Sequence, residues 1–394
     1  MKILFVHNYY QLRGGEDVIV EQDIELLRRN GHIVKLVKFT NDEFSNSALS
    51  KVINAVKSIY NSDSFQQLSK ELTDFKPDIV HIHNLFYIAS PSVIDAVKKG
   101  GYPLVMTLHN YRLVCINGLL TRKNSVPCED CLTSKIPLSG IQHACFRDSK
   151  LQSAQLTFIT SLHTQAKTWS KVDRYFVLTE FAREKFLQSR LGLKTSQVSV
   201  KPNSVPDCGY SSFQDRENYF LYVGRLTNEK GINVLLESAY KKEYPLIIAG
   251  DGPLRSAVEK ASRDLSHVSY LGPVKQEEVQ RLLKKSRALL VPSICYEGLP
   301  TTILEAFASG TPVICSNQEN LNKIVTHTYN GYLFQWGCSQ SLVETIDFVN
   351  NKTDCLPLIG INARKTYDQN YREEIIIEKL IDLYREVIKE YKSA

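Results

Sequence analysis

Long apolar runs are missing from this chain of 394 residues, and so are two common nucleotide-binding sequences. No stretch approaches the roughly 20 uninterrupted apolar residues that a membrane helix needs. The chain also lacks a G-x-G-x-x-G sequence and a G-x-x-x-x-G-K-[ST] loop, which argues against dinucleotide oxidoreductases and P-loop NTPases. The first apolar run ends at His7 and is too short for a signal peptide, so we expect a cytoplasmic protein.

The basic excess of the chain is confined to its first half. Residues 1–200 contain 25 Lys+Arg against 18 Asp+Glu, whereas residues 201–394 contain 23 against 24. Such an excess favours an anionic surface partner, such as lipid headgroups or an acidic acceptor, although ordinary scatter produces differences of this size too. Because no RNA- or DNA-binding motif accompanies the charge, we expect no nucleic-acid partner.

Nine cysteines without a secretion signal argue against a disulfide framework. Four of them fall in one stretch, residues 115–150, which shows no regular periodicity and is predicted to be an inserted loop region. These four are Cys115, Cys128, Cys131 and Cys145. Four thiolates can hold a structural zinc ion and order a segment that has little core of its own, and His143 could replace one ligand. The alternative is a set of reduced, packed thiols.

The length favours two domains of similar size. Short apolar strands alternate with amphipathic stretches, which is typical of parallel βαβ units. We predict an N-terminal Rossmann-like domain over 1–202 with the cysteine-containing insert, and a C-terminal one over 203–372. An amphipathic helix over 373–394 follows and is a candidate to pack back on the first domain. Strands are predicted at 2–6, 34–39, 78–83, 104–109, 175–179, 198–200, 219–224, 246–250, 268–272, 288–291 and 312–315.

Two glutamates, Glu297 and Glu305, flank the most informative turn of the sequence. A short apolar strand ending at Pro292 precedes them, and a helix begins near Thr301. At the carboxyl end of a parallel strand, free N–H groups of the following helix suit an anion. Carboxylates there should accept hydrogen bonds from neutral hydroxyls, and a ligand with both groups is a nucleotide sugar. The alternative is a solvated loop carboxylate and an exposed helix position, but Glu305 is flanked by apolar residues, and such a carboxylate usually has a partner.

Two cations at the start of the second domain complement this turn. Arg225 follows a predicted strand and offers a fork of donors for two phosphate oxygens, while Lys230 adds a compact charge. Together they suit a diphosphate without a metal ion. Without the glutamate motif, Arg225 and Lys230 would be interpreted as ordinary surface cations. Gly250-Asp251-Gly252 ends the next strand, where glycine allows close backbone approach.

With these motifs, the chain resembles the retaining glycosyltransferases of family 4, of the type found in bacterial surface-polysaccharide synthesis. The resemblance spans nearly the whole chain and is strongest over 219–317. It implies an α/β GT-B fold, with two facing Rossmann-like domains and a central cleft. The motifs occur in the family order: Gly14-Gly15, His109, Gly224-Arg225 with Lys230-Gly231, Gly250-Asp251-Gly252, and Glu297-x7-Glu305.

The resemblance implies a role for each matching residue. Arg225 and Lys230 would hold the donor diphosphate and stabilise it as leaving group. Glu297 would contact the transferred sugar, His109 would reach the sugar from the first domain, and Glu305 would accept hydrogen bonds from the ribose. The implied catalytic residues are Arg225, Lys230, Glu297 and His109. The implied donor-binding residues are Gly14, Gly15, Gly224, Gly252, Gly298, Leu299, Thr301 and Glu305.

Retention of the anomeric configuration, by front-face attack without a dedicated nucleophile or cofactor, is also implied by the resemblance. Many relatives carry glycine or another small residue where this chain has Pro300, which lacks an N–H, so one backbone contact to the donor is absent and the resemblance does not extend to the donor sugar. We expect a UDP- or GDP-sugar donor and a saccharide acceptor, lipid-linked, in capsule, exopolysaccharide or O-antigen synthesis. Alternatives are a nucleotide-sugar epimerase and a non-catalytic nucleotide-sugar-binding protein.

The stretch after His109 resembles the surface-polysaccharide subset, and this implies the lipid-linked acceptor. Five cations of the first half are expected to meet anionic headgroups or a pyrophosphate linker: Lys98, Lys99, Arg122, Lys123 and Lys135. The protein would then lie peripherally on the inner face of the cell membrane.

Overall fold

The computed structural model describes residues 1–9, 14–40, 56–123 and 126–393. These residues form two compact units. The first contains the described residues up to 123, together with 128–202 and 377–393, and the second contains 126–127 and 203–376. No helix among the described residues is long and apolar enough to cross a membrane.

The first unit is built on a six-stranded sheet whose neighbouring strands all run parallel, in the order β2-β1-β3-β4-β7-β8. Its central strands are buried along their whole length, which fits a parallel sheet covered on both faces. The strands are β1 (Lys2–Tyr9), β2 (Ile33–Thr40), β3 (Ile79–Ile82), β4 (Leu104–Leu108), β7 (Arg174–Val177) and β8 (Val198–Val200). A separate two-stranded sheet, β5 (Thr121–Arg122) with β6 (Val126–Pro127), lies in the insert.

Helices of the first unit connect these strands. They are α1 (Gly15–Arg29), α2 (Ser62–Phe75), α3 (Ser92–Lys99), α4 (Leu138–Gln142), α5 (Lys150–Gln165) and α6 (Glu180–Leu187). The last helix of the chain, α13 (Glu373–Ser393), contributes to the same unit from residue 377 onward. Its buried side chains, among them Leu380 and Tyr384, belong to one apolar cluster with Phe5 and Phe176. The first unit is therefore completed by the far end of the chain.

The second unit repeats this architecture with a sheet in the order β11-β10-β9-β12-β13-β14, again parallel throughout. Its strands are β9 (Phe220–Val223), β10 (Leu246–Ala249), β11 (Val268–Gly272), β12 (Ala288–Val291), β13 (Val313–Ser316) and β14 (Gly331–Phe334). Its helices are α7 (Ile232–Lys241), α8 (Arg255–Asp264), α9 (Gln276–Lys285), α10 (Thr301–Ala308), α11 (Ser339–Asn351) and α12 (Leu356–Asn370).

A close backbone approach fixes the turn between β9 and α7. Gly231 has a φ of +76°, and a Cβ atom there would lie 1.8 Å from the carbonyl oxygen of Pro292, which follows β12. Only glycine is compatible with both the left-handed conformation and this contact. The turn after β9 is thereby held against the end of β12, which places Lys230 beside the loop that carries Glu297.

Every strand predicted from the sequence is present, with ends that differ by no more than two residues except at β1, which extends three residues further, to Tyr9. The structure adds β14, and it adds short elements, β5, β6 and α4, in the insert that we predicted to be a loop. These additions are short, and their sequences alternate too weakly to be recognised as strands or helices.

Candidate active site

Lys230 and Glu297 of the second unit form an ion pair. The Nζ atom of Lys230 lies 2.8 Å from both carboxylate oxygens of Glu297. Ser293 donates a third hydrogen bond, of 2.5 Å, to Oε1 of the same carboxylate. Glu297 is only 7% exposed, so the carboxylate is held by charge-assisted bonds away from water. The sequence motif therefore contains a preformed ion pair.

The charges around this pair set the pKa of Lys230. Burial would lower its pKa, but the carboxylate of Glu297, helped by Cys295, outweighs burial and raises it. Arg225 acts in the opposite direction on Lys230 and is 69% exposed in its side chain. Its only ion-pair partner in the described chain is Glu229, at 3.8 Å. Lys230 is thus fully protonated at neutral pH, and the guanidinium of Arg225 remains accessible.

Asn320 supports the same loop and was not identified from the sequence. Its amide nitrogen donates to the carbonyl oxygens of Glu297 and of Gly298, the latter at 2.6 Å. Asn320 is fully buried, and it lies just beyond β13 in a stretch that carries no sequence motif.

Gln318 nearby is also buried, and both polar atoms of its side-chain amide lack a partner in the described part of the chain. A buried amide without partners is costly, which makes Gln318 a further candidate contact for a ligand or an ordered water.

The loop ends at the N-terminus of α10. Pro300 occupies the capping position and offers no side-chain acceptor. The first N–H groups of a helix, here those of Thr301 and its successor, have no acceptor within the helix. Leu299 is buried, which anchors the loop. An anion can therefore be bound at this end of α10.

Glu305 lies one turn further along α10 and has a different environment. The amide of Gln276 donates a 2.8 Å hydrogen bond to its Oε1. Burial raises the pKa of Glu305 to about 7, and the bond from Gln276 only partly offsets this. Glu305 is therefore a mixture of ionised and protonated forms at neutral pH, and a ligand with hydroxyl donors would favour its ionised form.

Two predicted donor-binding glycines already use their N–H groups. The N–H of Gly224 donates to the carbonyl of Ala249 at 3.1 Å, and that of Gly252 donates to Oδ1 of Asp251 at 2.8 Å. At Gly250, φ is +143° and a Cβ would meet the carbonyl oxygen of Gly224 at 1.9 Å. The glycines keep the turns after β9 and β10 close together, and their contact with a donor stays a prediction.

In the first unit, His109 follows β4 and is linked to a second histidine. Its Nε2 lies 2.9 Å from Nδ1 of His83, which follows β3, and the two rings are stacked. Burial lowers the pKa of His109 to about 3, with Lys201 and His7 acting in the same direction. His109 is therefore neutral, and its ring orientation is set by His83, which the sequence did not single out.

The glycine turn of the first unit is fixed by a buried pair. Gly14 caps α1, and its N–H donates to Oδ2 of Asp17 at 2.8 Å. The other oxygen of Asp17 lies 2.7 Å from Nε2 of His7, and both side chains are fully buried. Among the residues that the structure describes, none would lie within 4 Å of a Cβ added at Gly14 or Gly15. Small size at this turn leaves open space, and its use by a ligand stays a prediction.

The four cysteines of the insert lie within electrostatic reach of one another. Burial raises the pKa of Cys131 to about 12 and that of Cys145 to about 11, and Cys115 contributes to both shifts. Thiols with raised pKa values are protonated at neutral pH. Among the residues that the structure describes, no three His, Cys, Asp or Glu side chains are arranged to hold a metal ion. Structural zinc bound by Cys115, Cys128, Cys131 and Cys145 stays a prediction.

Comparison with known proteins finds similarity to glycosyltransferases. Residues 210–371 match the family model described as glycosyl transferases group 1. An uncharacterised glycosyltransferase of Methanocaldococcus jannaschii, MJ1607, is 31% identical over 44% of this chain and 46% of the relative. O-antigen chain mannosyltransferase C of Escherichia coli is 28% identical over 44% of this chain and 48% of the relative. The chain therefore matches less than half the length of each of these two proteins.

A solved structure agrees over the whole chain. The crystal structure of Anabaena Alr3699/HepE in complex with UDP has a TM-score of 0.68 at 16% identity, covering 98% of this chain and 100% of that one. The fold predicted from the sequence, a GT-B fold with two Rossmann-like α/β domains, is confirmed. The match to the family model falls within the second unit.

Proposed function

We propose that this protein is a glycosyltransferase that moves a sugar from a nucleoside-diphosphate sugar to a saccharide acceptor. The pairing of Lys230 with Glu297 at the carboxyl end of the second sheet carries the proposal. The ammonium group of Lys230 lies beside the loop that leads into α10, and the N-terminus of this helix also attracts anions. Together they provide positive charge for a diphosphate leaving group, without a metal ion. Similarity to an O-antigen mannosyltransferase and to an amylovoran biosynthesis glycosyltransferase supports a role in O-antigen or exopolysaccharide synthesis.

Retention of the anomeric configuration belongs to this proposal. Both oxygens of Glu297 already accept hydrogen bonds from Lys230 or Ser293. A carboxylate held in this way is poorly placed to accept a proton from an attacking hydroxyl. We therefore assign Glu297 to binding of the transferred sugar, and front-face attack with the leaving phosphate as proton acceptor fits this assignment. Proton NMR of the product would distinguish retention from inversion of the anomeric centre.

The test of the function is release of nucleoside diphosphate from a panel of UDP- and GDP-sugars, with and without saccharide acceptors. We expect turnover with at least one donor, and a loss of more than about 100-fold in Lys230→Ala, typical for removal of an electrostatic contact to the leaving group. Lys260→Ala changes an exposed lysine on α8 and is the matched control. Donor binding without turnover under every condition would instead favour a non-catalytic binding protein. Conversion of the donor sugar into its epimer, without transfer to an acceptor, would favour an epimerase.

We further propose that the first unit meets an anionic membrane surface. Helix α5 exposes three large apolar side chains spaced along one face, Leu151, Phe158 and Leu162, and the exposed Lys150 and Lys167 lie at its two ends. An apolar stripe flanked by lysines is typical of helices that lie at a lipid surface.

Co-sedimentation with phosphatidylglycerol vesicles tests this contact. We expect Leu151→Gln with Phe158→Gln to weaken binding, whereas Leu358→Gln, at an exposed leucine of the second unit, should not. Vesicle binding that did not change with the content of anionic lipid or with the salt concentration would contradict the proposal.

A further inference from the structure

Two arginines of the first unit converge on one phenylalanine near the carboxyl ends of β3 and β4. Arg112 lies four residues beyond β4, and Phe146 and Arg147 belong to the insert. The Cζ atoms of Arg112 and Arg147 lie 5.4 Å and 5.3 Å from the centre of the Phe146 ring. Both guanidiniums are thus drawn to the same aromatic side chain.

A tyrosine completes the cluster. The Tyr87 ring is centred 6.0 Å from that of Phe146, at 62° to it. Burial raises the pKa of Tyr87, and the positive charges of Arg112 and Arg147 oppose that rise. Both guanidiniums therefore lie close enough to interact with the tyrosine hydroxyl. The side chains of Tyr87, Arg112, Phe146 and Arg147, called here the arginine cluster, therefore form one compact group.

The arginine cluster borders a small cavity in the same unit. Arg112 lines this cavity of about 20 Å³ together with His83, His109 and Asn110. The Oδ1 of Asn110 accepts the backbone N–H of Arg112 at 3.0 Å, which fixes the turn after β4. In open α/β sheets, ligands bind outside the carboxyl ends of the strands. The cluster therefore lies beside the predicted sugar contact His109.

Within the described chain, neither Arg112 nor Arg147 forms an ion pair with a carboxylate, although Glu16 also lines the cavity beside Arg112. Other arginines of the first unit differ: Arg174 binds the carboxylate of Glu390 at 2.8 Å, and Arg190 donates to the carbonyls of Leu113 and Ser134. Two positive charges close to one ring repel each other, and an anion bound by both would offset this repulsion. Arginine forks match phosphate oxygens in pairs, which makes phosphate the anion that fits best.

We propose that the arginine cluster binds the phosphate or diphosphate group of the acceptor. The inference rests on the proposed function, since the diphosphate of the donor is assigned to Lys230 and Arg225 in the second unit. A second phosphate site beside His109 implies an acceptor whose saccharide is attached to a phosphate-bearing carrier. Lys98, which we predicted for this contact, binds Asp173 at 2.8 Å and 2.9 Å, and its contact with an acceptor stays a prediction.

Binding of inorganic pyrophosphate to the full-length protein tests the proposal, with titration calorimetry as the measurement. Lys230→Ala with Arg225→Ala serves as the background because it removes both proposed donor-diphosphate contacts. Pyrophosphate should still bind this variant, and Arg112→Gln or Arg147→Gln added to it should weaken binding by about tenfold or more, as expected for loss of charge-assisted bonds. Arg112→Lys keeps the charge but not the fork and should cause an intermediate loss.

Arg29→Gln removes an exposed arginine on α1 of the same unit and is the matched control, expected to bind pyrophosphate as the background does. Unfolding of each variant, followed by circular dichroism, shows whether a loss reflects misfolding. Unchanged pyrophosphate binding in Arg112→Gln with Arg147→Gln overturns the proposal, as does an equal loss in Arg29→Gln.

Vesicles of phosphatidylglycerol separate the two sources of phosphate. If the double variant loses vesicle binding but keeps pyrophosphate binding, the cluster recognises headgroups and the acceptor assignment is wrong. Failure of the proposed function is read separately, as absence of sugar transfer from every donor, so the two results remain distinguishable.

Discussion

Glu305 is subject to two opposite demands at the residue scale. Burial in the free protein favours its protonated form and raises its pKa to about 7. The proposed ribose contact requires the ionised form, which accepts two hydroxyl hydrogen bonds. Donor binding should therefore release a proton from Glu305 below pH 7. A measurable pH dependence follows from this single side chain.

We predict that nucleotide affinity rises by about tenfold between pH 6 and pH 8 in the wild type, because Glu305 must lose its proton to bind. Glu305→Gln should bind more weakly at pH 8 and lose this part of the pH dependence. The measurement is titration calorimetry with UDP and GDP at three pH values. The variant itself is the reference for ionisation of the nucleotide phosphate, so an identical pH profile in both proteins would contradict the role of Glu305.

The same group affects stability in the absence of nucleotide. Its folded-state pKa of about 7 lies above its ordinary value of 4.5. Between these values the folded protein binds more protons than the unfolded chain, so the free energy of unfolding falls as pH rises through this window. We predict that Glu305→Gln unfolds at a higher temperature than the wild type at pH 8, and that the advantage shrinks toward pH 5. Thermal unfolding followed by circular dichroism measures both; a variant less stable than the wild type at pH 8 would refute it.

At the scale of elements, the site residues whose position could be predicted from the sequence are those that directly follow a predicted strand. Apolar runs of four to six residues gave β9 and β12, so Arg225 and Glu297 could be assigned to the loops that follow them. The contact between Lys230 and Glu297 joins residues 67 positions apart, and Asn320 reaches the same loop from beyond β13. No local pattern encodes such partners, because they depend on which strands become neighbours and on the register between them.

Helix α13 shows the same limit and has its own consequence. Its amphipathic pattern predicted a helix, but not the bond from Tyr384 to Nδ1 of His81 at 2.6 Å. The other nitrogen of His81 lies 2.7 Å from Oγ1 of Thr107. Both nitrogens of a buried histidine are thus satisfied by neighbouring elements. The helix, β3 and β4 are joined by one polar chain inside an apolar core.

We predict that Tyr384→Phe lowers the free energy of unfolding by about 1–3 kcal/mol, because it leaves a buried nitrogen of His81 without a partner. Urea unfolding monitored by tryptophan fluorescence measures the change. Tyr391→Phe lies on the same helix in a partly exposed position and should cost less than about 0.5 kcal/mol. Equal losses in the two variants would show that the bond to His81 carries no special weight.

At the scale of the whole molecule, the chain crosses between its units more than once. The first unit takes residues 377–393 from the end of the chain, after the second unit has been completed. Arg174 on β7 binds Glu390 on α13, and Lys98 lies 4.4 Å from the ring of Tyr391. The units are therefore not independent consecutive segments, and a cut at residue 202 does not separate them cleanly.

Removal of residues 377–394 tests this arrangement. The deletion exposes apolar side chains of the first unit, including Phe5 and Phe176, that pack in one cluster with Leu380 and Tyr384. Because each large buried side chain contributes about 1.5–3 kcal/mol, loss of several exceeds the usual stability of a domain. We predict an aggregated or unfolded first unit, whereas removal of residues 392–394 should leave unfolding unchanged. Proteolysis should then leave a resistant fragment within 203–376 that still binds nucleotide, since the proposed diphosphate contacts lie there. A truncated protein whose first unit resisted proteolysis as the full chain does would refute the structural role of α13.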